Sequence, residues 1–101
     1  MAIFAITFRI HDDETYQARW ASVVEAIRQE TTSDYWEEPT SFALIESSKS
    51  SSDVADSVNN NSKLAPSKDL LVVINLSVTK GHKALGVIHD NDFQKLMAKR
   101  S

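Results

Sequence analysis

Cysteine is absent from the 101-residue chain. Disulfides, thiolate metal sites and cysteine nucleophiles are therefore excluded. Only two glycines occur, too few for a phosphate-cradling loop, and no internal repeat is present. No apolar run approaches the roughly 20 residues that cross a bilayer. The longest, Leu70 to Leu76, is interrupted by Asn75 and has the length of a strand. Met1 to Ile10 lacks a basic leader, since Arg9 follows its apolar stretch. A cytoplasmic protein without membrane contact is the expectation.

What remains is an ordinary globular composition, with 42% hydrophobic and 25% charged residues. The length fits one domain over residues 1–101. Charge is unevenly spread along it. Residues 1–60 hold 11 acids and 4 bases, whereas residues 61–101 hold 3 acids and 7 bases. The formal net charge is −3, yet a polarised chain of this kind can still present a basic face.

Hydrophobic periodicity sets the elements. Ala2 to Ile10 alternates as a strand, with Phe4, Ile6, Phe8 and Ile10 on its core side. Asp12 or Asp13 is expected to cap a helix running to Glu30. Tyr16, Trp20, Val23, Val24 and Ile27 form its apolar stripe, outside which Glu30 falls. Tyr35 and Trp36 open an extended segment that Pro39 interrupts and Thr40 to Glu46 continues. Ser47 to Ser52 reads as a loop, with Ser51 or Ser52 capping a short helix through Val54 and Val58. Asp69 to Val78 has the nearly continuous apolar run of a central strand. Lys80 to His82 is a turn, and Lys83 to Ile88 a short strand with Gly86 as a bulge. His89 to Asp92 then caps a terminal helix through Phe93, Leu96 and Met97.

Two strand–helix–strand units in this order give an α+β, ferredoxin-like sandwich. Its sheet is antiparallel, its helices cover one face, and a short C-terminal helix follows. A sheet left open on the other face would bury that face in a homodimer or stay partly wet.

The opening strand Ile3 to Phe8, the helix bearing Tyr16 and Trp20, the strand Asp69 to Ile74 and the tail Ala84 to Leu96 together form a pattern. It resembles the SinR-like and CRISPR-adaptation families of small ferredoxin-fold proteins. The resemblance implies a homodimer and, for many members, nucleic-acid binding. Some members are metal-dependent nucleases whose aspartate ends the first strand after an aromatic residue. Here Arg9 follows Phe8, and Asp12 and Asp13 come three and four residues later, which departs from that motif.

Several polar groups are site candidates. His11-Asp12-Asp13-Glu14 offers oxygen ligands suited to Mg²⁺, although helix capping accounts for the same residue types. His82, His89 and Asp90 have the chemistry of a metal site, or of a loop before a cap. Lys80-Gly81-His82-Lys83 is either a basic anion-binding turn or a solubilising hairpin. Tyr35 and Trp36 suit base stacking or an interface. Arg9, Lys80, Lys83, Lys95, Lys99 and Arg100 are the expected nucleic-acid contacts.

The leading expectation is a non-catalytic homodimeric binding module that associates with nucleic acid and needs no cofactor. One alternative is a Mg²⁺-dependent nuclease using Asp12 or Asp13. Another is an acidic module for a protein partner, such as a phage or plasmid inhibitor or adaptor.

Overall fold

Alternating side chains in a strand point to opposite faces, so a strand with one apolar set buries that set and wets the other. In β1 (Ala2–Arg9), Phe4, Ile6 and Phe8 are buried while Ile3, Thr7 and Arg9 are exposed. The computed structural model describes residues 1–77, 81–87 and 90–99. After β1 come α1 (Tyr16–Glu30), β2 (Tyr35–Trp36), β3 (Phe42–Ser47), α2 (Ser51–Asn60), β4 (Leu70–Asn75), β5 (His82–Leu85) and α3 (Asp90–Ala98).

The strands make one antiparallel sheet in the order β2-β3-β1-β4-β5. β1 connects through α1 to β2, with β3 lying between them. β3 connects through α2 to β4, with β1 lying between them. These interleaved units are the ferredoxin-like plan. Its makeup differs from the sequence reading in one respect. Tyr35 to Glu46 is not one interrupted strand but a hairpin, with Trp36 opposite Leu44. Pro39 sits in the connection, where its missing N–H costs no ladder bond. The hairpin therefore completes the four-stranded core, and β5 is an extra edge strand beside β4.

Core packing follows from the inward set of each strand. Ala43 and Ile45 of β3 and Leu71 and Val73 of β4 join Phe4, Ile6 and Phe8 beneath Val23, Ala26 and Ile27 of α1. Val54, Ala55 and Val58 of α2 close the same layer. Each fully buried Val, Leu, Ile or Phe side chain among these contributes about 1.5–3 kcal/mol. Helix α3 buries none of its residues. Its Phe93 meets His82 of β5 edge to face at 5.6 Å, and His82 pairs with Ile74 on the outward side.

The buried line of α1 departs from the expected stripe. It runs Arg19, Val23, Ala26, Ile27 and Glu30, with a charged residue at each end. Glu30 is buried because it stands one turn beyond Ala26 and Ile27. Its carboxylate accepts from Lys49 Nζ at 2.9 Å and from Ser57 Oγ at 2.7 Å, tying α1 to the loop before α2 and to α2 itself. Boundaries also shift locally. Asp13 fixes the turn before α1 by accepting from Thr15 N at 2.9 Å, while the helix begins at Tyr16. Ser50, rather than Ser51 or Ser52, caps α2 by accepting from Asp53 N. The strand expected over 69–78 is Leu70–Asn75, and Val78 lies outside the described residues.

Candidate functional site

The acidic cluster after β1 is the first place to look for chemistry. Asp12 is exposed there. Asp13 is committed to other groups. Its Oδ1 accepts from the Thr15 N–H, the Thr15 hydroxyl at 2.7 Å and Arg19 Nη2 at 3.2 Å, and its Oδ2 accepts from Lys68 Nζ at 2.9 Å. Lys68 foremost, then Thr15, hold its carboxyl well below the usual carboxylate range. Such an oxygen pair has little left to offer a metal ion. Among the described residues, no group of three His, Asp or Glu side chains is placed to hold a metal.

Behind Asp13 lies a buried ion pair that sequence reasoning missed. Asp69 Oδ1 accepts from Arg19 Nη1 at 2.6 Å and from His11 N at 2.8 Å. Asp69 Oδ2 accepts from Ala65 N at 2.8 Å. Arg19 also donates to the His11 carbonyl at 2.8 Å and to Thr15 Oγ1 at 2.9 Å. Burial alone would raise the Asp69 carboxyl, but the Arg19 guanidinium and the two backbone N–H groups outweigh it and hold it low. The Arg19 guanidinium is shifted upward in turn, chiefly by its bond to Asp69. Every donor and acceptor here serves the junction of β1, α1 and the chain entering β4. The constellation is architectural, as a buried and satisfied pair allows.

The basic residues do not all gather on one surface. Arg9 pairs with Leu70 on the outward side of the sheet. Lys83 pairs with Val73, a core residue, and so faces the helix side. Lys95 and Lys99 are exposed on and just after α3. Lys80, Arg100 and His89 lie outside the described residues. The turn at Gly81 is tied back by Asn75 N donating to the Gly81 carbonyl at 2.7 Å.

The outward face of the sheet is the more distinctive surface. One cross-strand row reads Trp36, Leu44, Ala5, Ile74 and His82. The next reads Phe42, Thr7, Val72 and Ala84. On the far side, Glu46 pairs with Ile3, and Leu76 donates its backbone N–H to the Ile3 carbonyl. Ile3 is 39%, Trp36 43% and Leu76 57% exposed. Trp36 and Phe42 stand edge to face at 6.2 Å, and the Trp36 indole donates to Glu38 Oε1 at 3.2 Å. Phe93 packs on His82 at one end of the first row, while its Trp36 end stays exposed. Sequence alternation in β1 sets Ala5 and Thr7 opposite the core, but rows across five and four strands need the register.

Comparisons with protein-family models, with curated proteins and with solved structures returned no match. The functional reading therefore rests on the surfaces described above.

Proposed function

We propose that the chain is a non-catalytic binding module that acts as a homodimer, with the outward sheet face as the seam. The supporting observation is the apolar row of Trp36, Leu44, Ala5 and Ile74, flanked by exposed Ile3. Trp36 and Ile3 are exposed, and Leu44, Ala5 and Ile74 between them are half-buried; an apolar patch open to solvent marks an interaction site. A second copy is the partner that the charges favour. Arg9 and Glu46 lie at opposite ends of the β1–β3 pair. A two-fold axis lying between two such faces and running across the strands sets Arg9 of one copy toward Glu46 of the other. Two symmetric charge pairs then rim an apolar centre, as a self-complementary interface requires.

Leu44→Glu is the direct test. Leu44 is half-buried and points away from the core, so the variant should keep the circular dichroism spectrum of the parent. Its sedimenting mass should fall from two chains to one. A variant that stays dimeric would place the seam elsewhere.

Nucleic acid is the ligand class that we attach to this dimer, in keeping with the resemblance to the SinR-like and CRISPR-adaptation families. Arg9 is then occupied at the seam and Lys83 faces the helix side, which leaves Lys95 and Lys99, among the described residues, as the contacts. The nuclease alternative, which uses Asp12 or Asp13, is less favoured, because Asp13 spends its oxygens on Thr15, Arg19 and Lys68 and leaves only exposed Asp12 of the two.

A further inference from the structure

Helix α3 stands at the His82 end of the outward row. The Phe93 ring meets that of His82 edge to face at 5.6 Å, and Gln94 Oε1 lies 3.4 Å from His82 Nε2. His82 pairs with Ile74, which pairs with Ala5, so its side chain is on the outward side, away from the core. Val72, in the next outward row, lies outside the core cluster yet is only 7% exposed, whereas Trp36 at the opposite edge is 43% exposed. The outward face is thus covered toward β4 and β5 and open toward β2.

The helix is lightly held there. Phe93, Leu96 and Met97 recur at the three- and four-residue spacing of an apolar stripe. A helix packed firmly on a sheet buries that stripe, but α3 buries none of its residues and Leu96 is 62% exposed. At nine residues it is also shorter than the roughly 12–15 at which an isolated helix becomes even marginally stable. Its position therefore depends on what it touches.

The two-fold axis of the proposed seam runs across the strands, so each strand of one copy faces the same strand of the other, and α3 faces α3. Stacked sheets lie about 10 Å apart. A helix with its side chains is about 10–12 Å across, so two of them at one end need about 20 Å or more. The faces can close from β2 to β4 only if both helices leave His82.

We propose that α3 is an autoinhibitory lid on the dimer seam, held shut by Phe93 on His82 and displaced when a second copy docks. The lid rests on the homodimer reading above and adds its regulation. A chain is competent to pair only while its lid is open, so the apparent dissociation constant exceeds the intrinsic one by the inverse of the open fraction.

Sedimentation equilibrium of the full chain reads the dimer constant. Phe93→Ala removes the ring contact from a helix that buries nothing, so the sheet and core should stay intact. Its dimer should be about tenfold tighter than that of the parent. The chain has no cysteine, so His82→Cys with Phe93→Cys supplies a thiol pair that a short bismaleimide joins within one chain at high dilution. The joined form should stay monomeric at concentrations where the same variant, capped at both thiols with N-ethylmaleimide, dimerises. A parent dimer that Phe93→Ala leaves unchanged or weakens, or a joined form that dimerises as well as the capped one, would overturn the lid and leave the seam standing. A mass of one chain for the parent, Phe93→Ala and the capped variant alike would overturn the seam itself, and the lid with it.

Discussion

Gly86→Ala is expected to yield no stably folded protein. Gly86 has φ of 77°, a conformation that costs an L residue roughly 1–2 kcal/mol. The larger effect is steric. A Cβ at this position would lie 1.8 Å from the Asp69 carbonyl oxygen and 2.9 Å from that of Pro66. Both obstacles are backbone atoms, and Asp69 cannot retreat. Its amide donates to the Ala65 carbonyl at 2.7 Å, and its side chain is locked to Arg19 and to the N–H groups of His11 and Ala65. Relief requires moving β5 away from β4 or breaking the 65–69 turn. Either change takes a large share of the roughly 5–15 kcal/mol that holds a domain together. Circular dichroism and urea unfolding of the variant would check this. A urea midpoint close to that of the parent would mean that the close approach of Gly86 to Asp69 is not a requirement of the fold.

Asp69→Ala carries the second largest expected effect. It strands a buried guanidinium and removes the acceptor for two backbone N–H groups. Breaking one side of a buried pair costs about 3–5 kcal/mol. Replacing both partners, Arg19→Met with Asp69→Leu, should recover part of the loss. Recovery stays incomplete because the N–H groups of His11 and Ala65 still lack their acceptor. Acid should act on the same network. Asp69 and Asp13 both titrate lower in the folded chain than unfolded. The unfolded chain therefore takes up protons first as the pH falls. Their contribution is fully present above the ordinary carboxylate range and declines below about pH 4. Urea midpoints measured from pH 7 down to pH 2.5 should drop in the parent, and drop less steeply in Asp69→Ala. A midpoint independent of pH over that range would show the pair to be energetically idle.

The parts of the fold that could be read from sequence are those with strong local periodicity. Alternation in Phe4, Ile6 and Phe8 and the continuous run Leu70 to Ile74 mark the two central strands. The three- and four-residue spacing from Tyr16 to Ile27 marks α1. The β2–β3 hairpin was hidden because a two-residue strand carries no period, and Pro39 reads only as an interruption. The ion pair was hidden for another reason. Arg19 and Asp69 are 50 residues apart, and an arginine beside an apolar stripe looks like any solvated residue. Glu30 was misplaced by the same logic, since its partners Lys49 and Ser57 arrive only with the fold. Gly86 was legible as an irregularity near a strand end, but its constraint comes from a carbonyl that tertiary packing supplies. The outward row is intermediate. Alternation assigns Ala5 to the non-core side of β1, whereas two-residue β2 and the continuous run of β4 carry no such signal, and the alignment depends on register.

Sedimentation equilibrium of the parent chain across a concentration series tests the homodimer most directly. Repeating it with a labelled mixed-sequence duplex at low and moderate salt tests the ligand class on the same sample. A homodimer gives a mass of two chains at micromolar concentration, with duplex binding that weakens as salt rises. A mass of one chain throughout the series would contradict it.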